Sequence, residues 1–179
     1  MPPHSRRVTA VVVAATAAAM AAALGACGAW LVQLDRGGTA APRPASPLLE
    51  VVPSSAGAPD PTPVWGSSIV YGGLAAAAGQ AIGAAAYPWA ARHAAERAGG
   101  WQLLVELVRA EADAQDGRLT VEIEARVTLR ATVGQVHLGQ TRGYCKLTEA
   151  FAGDGAPVVH QCLARLARDL SGWLDGITP

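Results

Sequence analysis

Few of the residues that could do chemistry stand at the spacing that chemistry requires. The histidines are scattered, and no two of them stand at the spacing of metal ligands on one helix or strand; they are His4, His93, His137 and His160. The chain has no Cys-x-x-Cys pair, no Gly-x-Ser-x-Gly nucleophile motif and no phosphate-binding loop ending in Gly-Lys-Ser/Thr. We therefore predict that the protein is not an enzyme and that it uses no metal or cofactor.

Two carboxylates share one face of a predicted strand. Glu122 and Glu124 stand two residues apart, and two such groups can serve as acid and base on a glycosidic bond. Charges also alternate along any strand that has one face in water, and Arg126 and Arg130 continue this pattern. The sequence favours a solvated strand face over a catalytic pair, and contact of the same face with a partner is the alternative.

The three cysteines divide into one near the N-terminus and two in the second half of the chain. If Cys27 is modified, Cys145 and Cys162 remain as an even pair. In an oxidising compartment this pair would form a disulfide. It would close a loop of about 17 residues and stabilise the fold by roughly 3 kcal/mol in the chain-entropy account. Two buried free thiols are the alternative, because cysteine is among the most buried residue types.

The N-terminus has the features of an export signal. Arg6 and Arg7 precede a nearly unbroken apolar run from Val8 to Leu24, which is the order of charge and hydrophobicity in a secretory signal. The segment Leu24-Gly25-Ala26-Cys27 follows and resembles a bacterial lipobox, whose cysteine is acylated and becomes the first residue of the mature protein. This resemblance predicts a signal peptide over residues 1–26, cleavage before Cys27, and acyl chains such as palmitate on Cys27.

A signal anchor that is not cleaved is the alternative. Apolar residues continue past Cys27 to Leu34, before Asp35. A run of roughly 25 residues is long enough to span a bilayer, and Trp30 would then lie at the membrane–water interface. Both interpretations place the remainder of the chain outside the cytoplasm.

Composition divides the rest of the chain into a linker and a domain. Residues 35–65 are rich in Pro, Ala, Ser and Gly, and this predicts a disordered linker. Within it, Leu48–Val52 is a candidate edge strand. Residues 66–179 are predicted to form an α+β envelope domain.

Alternating residues predict the sheet of that domain. Apolar residues occupy every second position from Leu119 to Leu129, and a similar run spans Leu103 to Leu107. Asp116-Gly117 lies between them and is typical of a hairpin turn. A third strand is predicted from Val136 to Cys145. Its segment Gln140–Cys145 is a candidate binding edge, and a strand held by the disulfide explains that segment equally well.

Two helices are predicted beside this sheet. The first runs from Gly73 to about Arg97, and the second, from about Pro157 to Leu174, has an apolar stripe at three- and four-residue steps. The predicted fold class is α+β, with an antiparallel three- to four-stranded sheet and two helices packed on one face. The fourth strand would be Leu48–Val52 or Ser67–Tyr71.

The segment Ile69–Ala91 allows a second interpretation. Gln80 is its only plainly polar residue, and Gly79-x-x-x-Gly83 matches a packing motif of membrane helices. A second membrane span here would return the C-terminal domain to the cytoplasm. A helix of small residues packed closely on a sheet is favoured, because Gly and Ala contribute little to membrane insertion.

Charge excludes one class of partner. Lys and Arg together number 14, and Asp and Glu together also number 14. A basic surface for nucleic acid is therefore not indicated.

The chain resembles the ABC-type transport auxiliary lipoproteins of the bacterial cell envelope. The features that carry the resemblance are Leu24–Cys27, the hairpin from Leu103 to Leu129, and the closing helix from Val158 to Leu174. The resemblance implies a non-catalytic protein that is lipid-anchored on the periplasmic side, binds protein partners of a lipid-transport complex, and also contacts lipid. Gly28 after the cysteine favours the outer membrane over the inner membrane, and a single-pass inner-membrane anchor is the alternative. The alternative function is a lipoprotein that activates a cell-wall synthase or assembles an outer-membrane complex.

Overall fold

Three long strands and two helices dominate the computed structural model, which describes residues 29–35, 48–96 and 99–177. Four short strands come first along the chain: β1 (Trp30–Gln33), β2 (Leu49–Ser54), β3 (Thr62–Trp65) and β4 (Ile69–Gly72). Helix α1 (Leu74–Arg92) follows. The long strands β5 (Trp101–Gln115), β6 (Arg118–Ala131) and β7 (His137–Ala150) come next, and helix α2 (Ala156–Asp175) closes the described part.

The alternation seen in the sequence builds an antiparallel meander of β5, β6 and β7. Asp116 and Gly117 join β5 to β6, and both have positive φ angles, of 51° and 71°. This conformation suits a two-residue hairpin turn. The apolar positions of β6 are buried beneath the helices, while its polar positions face away from them. The sheet therefore has an inner face, which packs on both helices, and an outer face.

The predicted antiparallel sheet of three to four strands is wrong, because the described strands form one sheet of seven, with mixed parallel and antiparallel pairing. Strands β2 and β3 both run parallel to β5 and occupy its second edge. Strand β4 pairs antiparallel with β3, and β1 pairs parallel with β4. Strands β2 and β3 lie within residues 35–65, and β1 lies in the apolar run that follows Cys27.

The sequence offered a single short strand, Leu48–Val52 or Ser67–Tyr71, and the other short strands escaped prediction for a physical reason. Each has four to six residues, too few to show a clear alternation. Pro53 and Pro63 lie inside two of them, and proline lacks the backbone N–H that a strand ladder uses. Strands β2 and β3 both pair with β5, about fifty residues away in the chain. No local sequence pattern reveals this partner.

Strands β2 and β3 act as one interrupted strand along β5. Between them the chain leaves the sheet, and the amide groups of Gly57 and Ala58 both donate to the carbonyl oxygen of Leu107, at 3.1 and 3.3 Å. Strand β5 has a bulge at this point, between Leu107 and Arg109. The bulge and the interruption therefore occur together.

Glycines bring both helices close to the sheet. A Cβ atom at Gly83 of α1 would lie 2.7 Å from Cγ2 of Val51, and one at Gly143 of β7 would lie 2.4 Å from Cδ1 of Leu166 in α2. The Gly79-x-x-x-Gly83 motif thus packs α1 on β2. Trp89 of α1 also contacts Trp101 edge-on, with ring centroids 5.2 Å apart.

The segment Ile69–Ala91, for which a second span was the alternative, forms β4 and most of α1. Within the described residues, no helix combines the length and the apolar character needed to cross a membrane.

The close packing of α1 on β2 predicts opposite effects for two glycine substitutions. Gly83→Ala adds a methyl group against Val51, whose β-branched side chain is stiff. We expect the overpacking to outweigh the gain of about 1 kcal/mol in helix propensity and to lower the free energy of unfolding by about 1 kcal/mol. Gly172→Ala in α2 is the control, because no atom lies within 4 Å of the added methyl group, and it should raise that free energy. Denaturant unfolding of the full chain measures both, and stabilisation by both substitutions would contradict the packing.

Candidate functional site

The outer face of β5, β6 and β7 carries an ordered set of charges. It consists of the polar side chains that project away from the helices. Those in ion pairs are Glu106, Arg109, Glu111, Glu122, Glu124, Arg126, Arg142 and Lys146. None of the described helices covers this face. It is the candidate functional site because it is broad, rigidly supported by long strands, and open to solvent.

Glu122 is the centre of this outer face. Its carboxylate lies 2.5 Å from Nζ of Lys146 and 3.6 Å from a guanidinium nitrogen of Arg109. The hydroxyl of Tyr144 donates a hydrogen bond to the same carboxylate at 3.2 Å. Arg109 also donates two hydrogen bonds to Glu111, at 2.7 and 2.6 Å. One carboxylate therefore connects groups of β5 and β7 across the middle strand.

Strand register explains this arrangement. Lys146 is the direct cross-strand partner of Glu122, and Glu111 is its partner on the other side. Two carboxylates facing each other across a ladder repel. Arg109 and Lys146 offset that repulsion, since each lies beside Glu122 and Arg109 bridges both carboxylates.

The ion pairs hold these groups in their charged forms. The hydrogen bond from Lys146 is the main cause that lowers the pKa of Glu122, against partial desolvation that raises it. The hydrogen bond to Glu122 in turn raises the pKa of Lys146. Arg109 similarly lowers the pKa of Glu111. A general acid needs a carboxyl pKa raised towards neutrality, and the shift of the Glu122 pKa is in the opposite direction.

Glu124 does not share these contacts. It lies 3.4 Å from Arg142, and Arg126 lies 3.5 Å from Glu106. The two carboxylates that the sequence placed on one strand face thus belong to separate ion pairs. Each pair extends the alternation of positive and negative groups across the outer face.

Two aromatic side chains project from this otherwise charged surface. Tyr144 is 52% exposed and Trp65 is 66% exposed. A shallow groove of about 620 Å³ lies beside Trp65 and is lined by Trp65, Glu111, Ala112, Asp113, Thr120, Glu122 and Lys146. The outer face therefore offers exposed aromatic area beside ordered charges.

The predicted cysteine pair lies directly beneath this surface. Cys145 of β7 and Cys162 of α2 are joined by a disulfide, with Cα atoms 5.8 Å apart. The Gln140–Cys145 segment lies in β7, with Arg142 and Tyr144 on the outer face and Gly143 and Cys145 on the inner face. The disulfide thus fixes the strand that presents Tyr144.

The remaining predicted site residues fall elsewhere. Cys27, the predicted lipid attachment, lies outside the described residues. His93 forms a hydrogen bond with Glu96 after the end of α1, at 2.8 Å. In residues 29–35, 48–96 and 99–177, no group of three or more His, Cys, Asp or Glu side chains is arranged to hold a metal ion.

Lys146, Arg109 and Trp65 are among the residues of the outer face that were missed from the sequence. Lys146 follows Tyr144 at an alternating position, so extending the third strand beyond Cys145 would have found it. Arg109 is placed by the bulge in β5, and Trp65 belongs to a strand inside the predicted linker. No local pattern signals either position.

Comparison with known proteins gives likenesses in structure alone. No family model and no curated protein matches the chain. A protein from Xanthomonas campestris of the family DUF330 is 15% identical, with a TM-score of 0.48, over 80% of this chain and 94% of the other. Lipoprotein GNA1162 from Neisseria meningitidis is 9% identical, with a TM-score of 0.42, over 72% and 99%. A candidate lipoprotein from Caulobacter crescentus CB15 is 16% identical, with a TM-score of 0.40, over 55% and 84%.

Two of these three similar structures are thus described as lipoproteins or candidate lipoproteins. At such identities and TM-scores the likenesses assign neither a family nor a role. Membership of the ABC-type transport auxiliary lipoproteins stays a prediction from the sequence.

The Glu122 cluster predicts a contribution to acid stability. A carboxyl group whose pKa is lower in the folded chain stabilises the fold at pH values above its unfolded pKa of about 4.3. This stabilisation is lost as the pH falls through the folded pKa. Glu122→Gln should therefore lower stability at neutral pH and flatten its decline below about pH 4.3, with a small effect because the partners are solvated. Glu149→Gln is the control, because this exposed carboxylate of β7 forms no ion pair with the described residues. Denaturant unfolding at pH values from 2 to 7 measures the free energy of unfolding. An equal decline of that free energy at acid pH in the wild type and in Glu122→Gln would contradict the prediction.

Proposed function

We propose that this chain is a lipid-anchored protein of the bacterial envelope whose domain, on the periplasmic side, binds protein partners of a lipid-transporting ABC system without catalysis. The observation that carries the proposal is the outer face, where Tyr144 stands exposed among ion pairs fixed by strand register. The lipid anchor follows from Leu24-Gly25-Ala26-Cys27. The transport role follows from the sequence resemblance.

The composition of the outer face supports protein recognition. Aromatic residues and arginine are enriched in the centres of protein interfaces and supply most of their binding energy. Tyr144 lies between Arg142 and Lys146 along β7. Charges that are already paired lose little freedom on binding, and their fixed pattern selects a partner of complementary pattern. An exposed tyrosine surrounded by such charges is a suitable anchor for a folded protein partner.

The disulfide supports a location outside the cytoplasm. The bond between Cys145 and Cys162 links a strand to a helix in the buried core. Disulfides form and persist in oxidising compartments such as the periplasm, and cytosolic reductants keep such thiols reduced. Export by the N-terminal signal would bring the domain into that compartment.

The intact mass of the membrane-extracted chain tests the anchor and the compartment together. We expect a chain that begins at Cys27, carries added acyl mass, and gains two hydrogens per molecule on reduction. A variant with Cys27→Ser should retain its signal segment and lack the acyl mass, because the acylation site is gone. A full-length, unacylated wild-type chain would show a signal anchor instead, and two free thiols in the untreated chain would contradict an oxidising location.

Site-specific photo-crosslinking in intact cells tests the partner surface. A crosslinker at position 144 should capture a permease or substrate-binding subunit of an ABC system, and one at Gln161, exposed on α2, should not. Tyr144→Ala should reduce co-purification of the same subunit about tenfold, since an interface hot spot contributes about 2 kcal/mol. Val133→Ala, an exposed side chain in the turn after β6, is the matched control.

The identity of the captured protein decides between the two functions that the sequence allows. A cell-wall synthase or an outer-membrane assembly protein at position 144 would replace the transport role by the alternative role. Equal capture from positions 144 and 161, or no reproducible partner at either, would contradict a partner-binding outer face.

A further inference from the structure

Three large apolar side chains are exposed at one end of the sheet. Trp30 is 75% exposed, Leu31 is 53% exposed, and Trp65 is 66% exposed. Single exposed apolar residues are ordinary, but a group of them marks an interaction surface. These three residues form what we term the tryptophan end of the sheet.

Backbone hydrogen bonds bring the three residues together from separate strands. The amide of Trp30 donates to the carbonyl oxygen of Ser68 at 2.7 Å, and the amide of Ser67 donates to that of Val64 at 3.2 Å. Trp65 and Ser68 therefore lie in the same tight turn between β3 and β4, and β1 begins beside that turn. Trp30 pairs with Ile69 and Pro63 pairs with Val70, so Trp30 and Trp65 project from opposite faces of the same end of the sheet.

Core packing does not account for the exposure. Later residues of the same segment enter the core, where Leu34 is 1% exposed. The C-terminal end of β1 thus packs in the core, while Trp30 and Leu31 lie outside the core at the start of the strand. Tryptophan favours the membrane–water interface, where its ring is in an apolar region and its N–H can meet a polar partner.

The chain that leads into β1 is short. Only Gly28 and Ala29 separate Cys27 from Trp30, and three residue steps span about 11 Å at full extension. The interfacial layer on each side of a bilayer is roughly 5–8 Å thick. An acyl chain on Cys27 would therefore hold Trp30 at, or immediately beside, the level of the lipid headgroups.

We infer that the tryptophan end rests in the headgroup layer of the membrane, with Trp30 and Trp65 as the contacting side chains, one on each face of the sheet. The occupant of this surface is a lipid bilayer, and the inference rests on the lipid anchor of the proposed function. Residues 36–47 follow β1, so the Pro-rich segment does not separate the anchor from the sheet. The domain is thus held against the membrane in one orientation.

The nearby charges indicate which lipids the surface accepts. Asp113 is the strand partner of Trp65, and Asp116 and Arg118 lie at the adjoining β5–β6 hairpin. Both signs are present, and among the residues that the structure describes no basic cluster adjoins the three apolar residues. The contact should therefore depend on the apolar side chains and form equally with zwitterionic lipid and at high salt.

Quenching of tryptophan emission by brominated lipid tests this contact, because bromine on an acyl chain quenches only nearby rings. The protein as extracted from membranes is reconstituted into phosphatidylcholine vesicles with and without brominated phosphatidylcholine. We expect quenching in the wild type, at low and high salt, and loss of most of it in the double variant W30F/W65F.

Trp89 and Trp101 are buried and should contribute none. W173F, which changes a half-buried tryptophan of α2, is the control and should quench like the wild type.

Single variants test each ring. W30F and W65F should each lose part of the quenching, and a W65F variant that quenches like the wild type would overturn the assignment of Trp65. No quenching in the wild type, or equal quenching in the wild type and W30F/W65F, would overturn the inference as a whole. Cooperative denaturant unfolding of each variant verifies that it is folded.

The intact mass of the same samples separates this inference from the proposed function. An acylated chain without quenching would overturn the membrane contact and leave the lipid anchor established. An unacylated chain with quenching that depends on Trp30 and Trp65 would support the contact and contradict the lipid anchor. Capture of a partner at position 144 depends on neither result.

Discussion

Strand β5 is the element on which the rest of the structure depends, because it is hydrogen-bonded along both edges. It pairs with β6 along its full length on one side. On the other side it pairs with β2 near its start and with β3 near its end. The short strands have no comparable partner of their own, and β1 and β4 reach the sheet only through β3. Loss of the β5 alternation would therefore remove both the meander and the N-terminal strands.

The bulge in β5 keeps its charges on the correct side. Before the bulge, Leu103, Val105 and Leu107 face the helices, and after it Ala110 and Ala112 do so. In an unbulged strand the second half would turn Arg109 and Glu111 towards the helices, where an unsatisfied charge is costly. The extra residue thus places the guanidinium beside Glu122. One local irregularity separates an apolar inner face from a charged outer face.

The two proposed surfaces are consistent with one orientation of the domain. The tryptophan end lies where β1 begins, and the groove of the outer face opens towards it at Trp65. With that end at the membrane, the long strands rise away from the lipid and Tyr144 faces sideways, where a membrane-bound partner can approach. The disulfide under β7 ties this strand to α2, so the proposed partner surface is supported by the buried core.

The sequence predicted those parts of the fold that show a regular pattern among residues close together in the chain. Leu119 to Leu129 alternate strictly, and Asp116-Gly117 supplies the turn, so β6 and its hairpin could be recognised from the residues alone. The stripe on α2 likewise identified the helix and the face that carries Cys162. The outer face was foreseen through Glu122 and Glu124, because solvated charges alternate with buried apolar residues.

Other features were decided only by tertiary structure. Seven strands instead of three or four arise because β2 and β3 obtain their hydrogen bonds from β5, and a sequence window records no partner so far away. The contacts of Glu122 depend on register across three strands, and the place of Arg109 depends on a bulge that propensities do not encode. The sequence by itself determined the long strands, the helices and the cysteine pair, since each follows from residue types and spacings that can be read along the chain. Only the tertiary structure decided the pairing of the short strands, the ion-pair cluster and the position of Trp30 at the same end of the sheet as Trp65, because these require residues distant in sequence to meet in space.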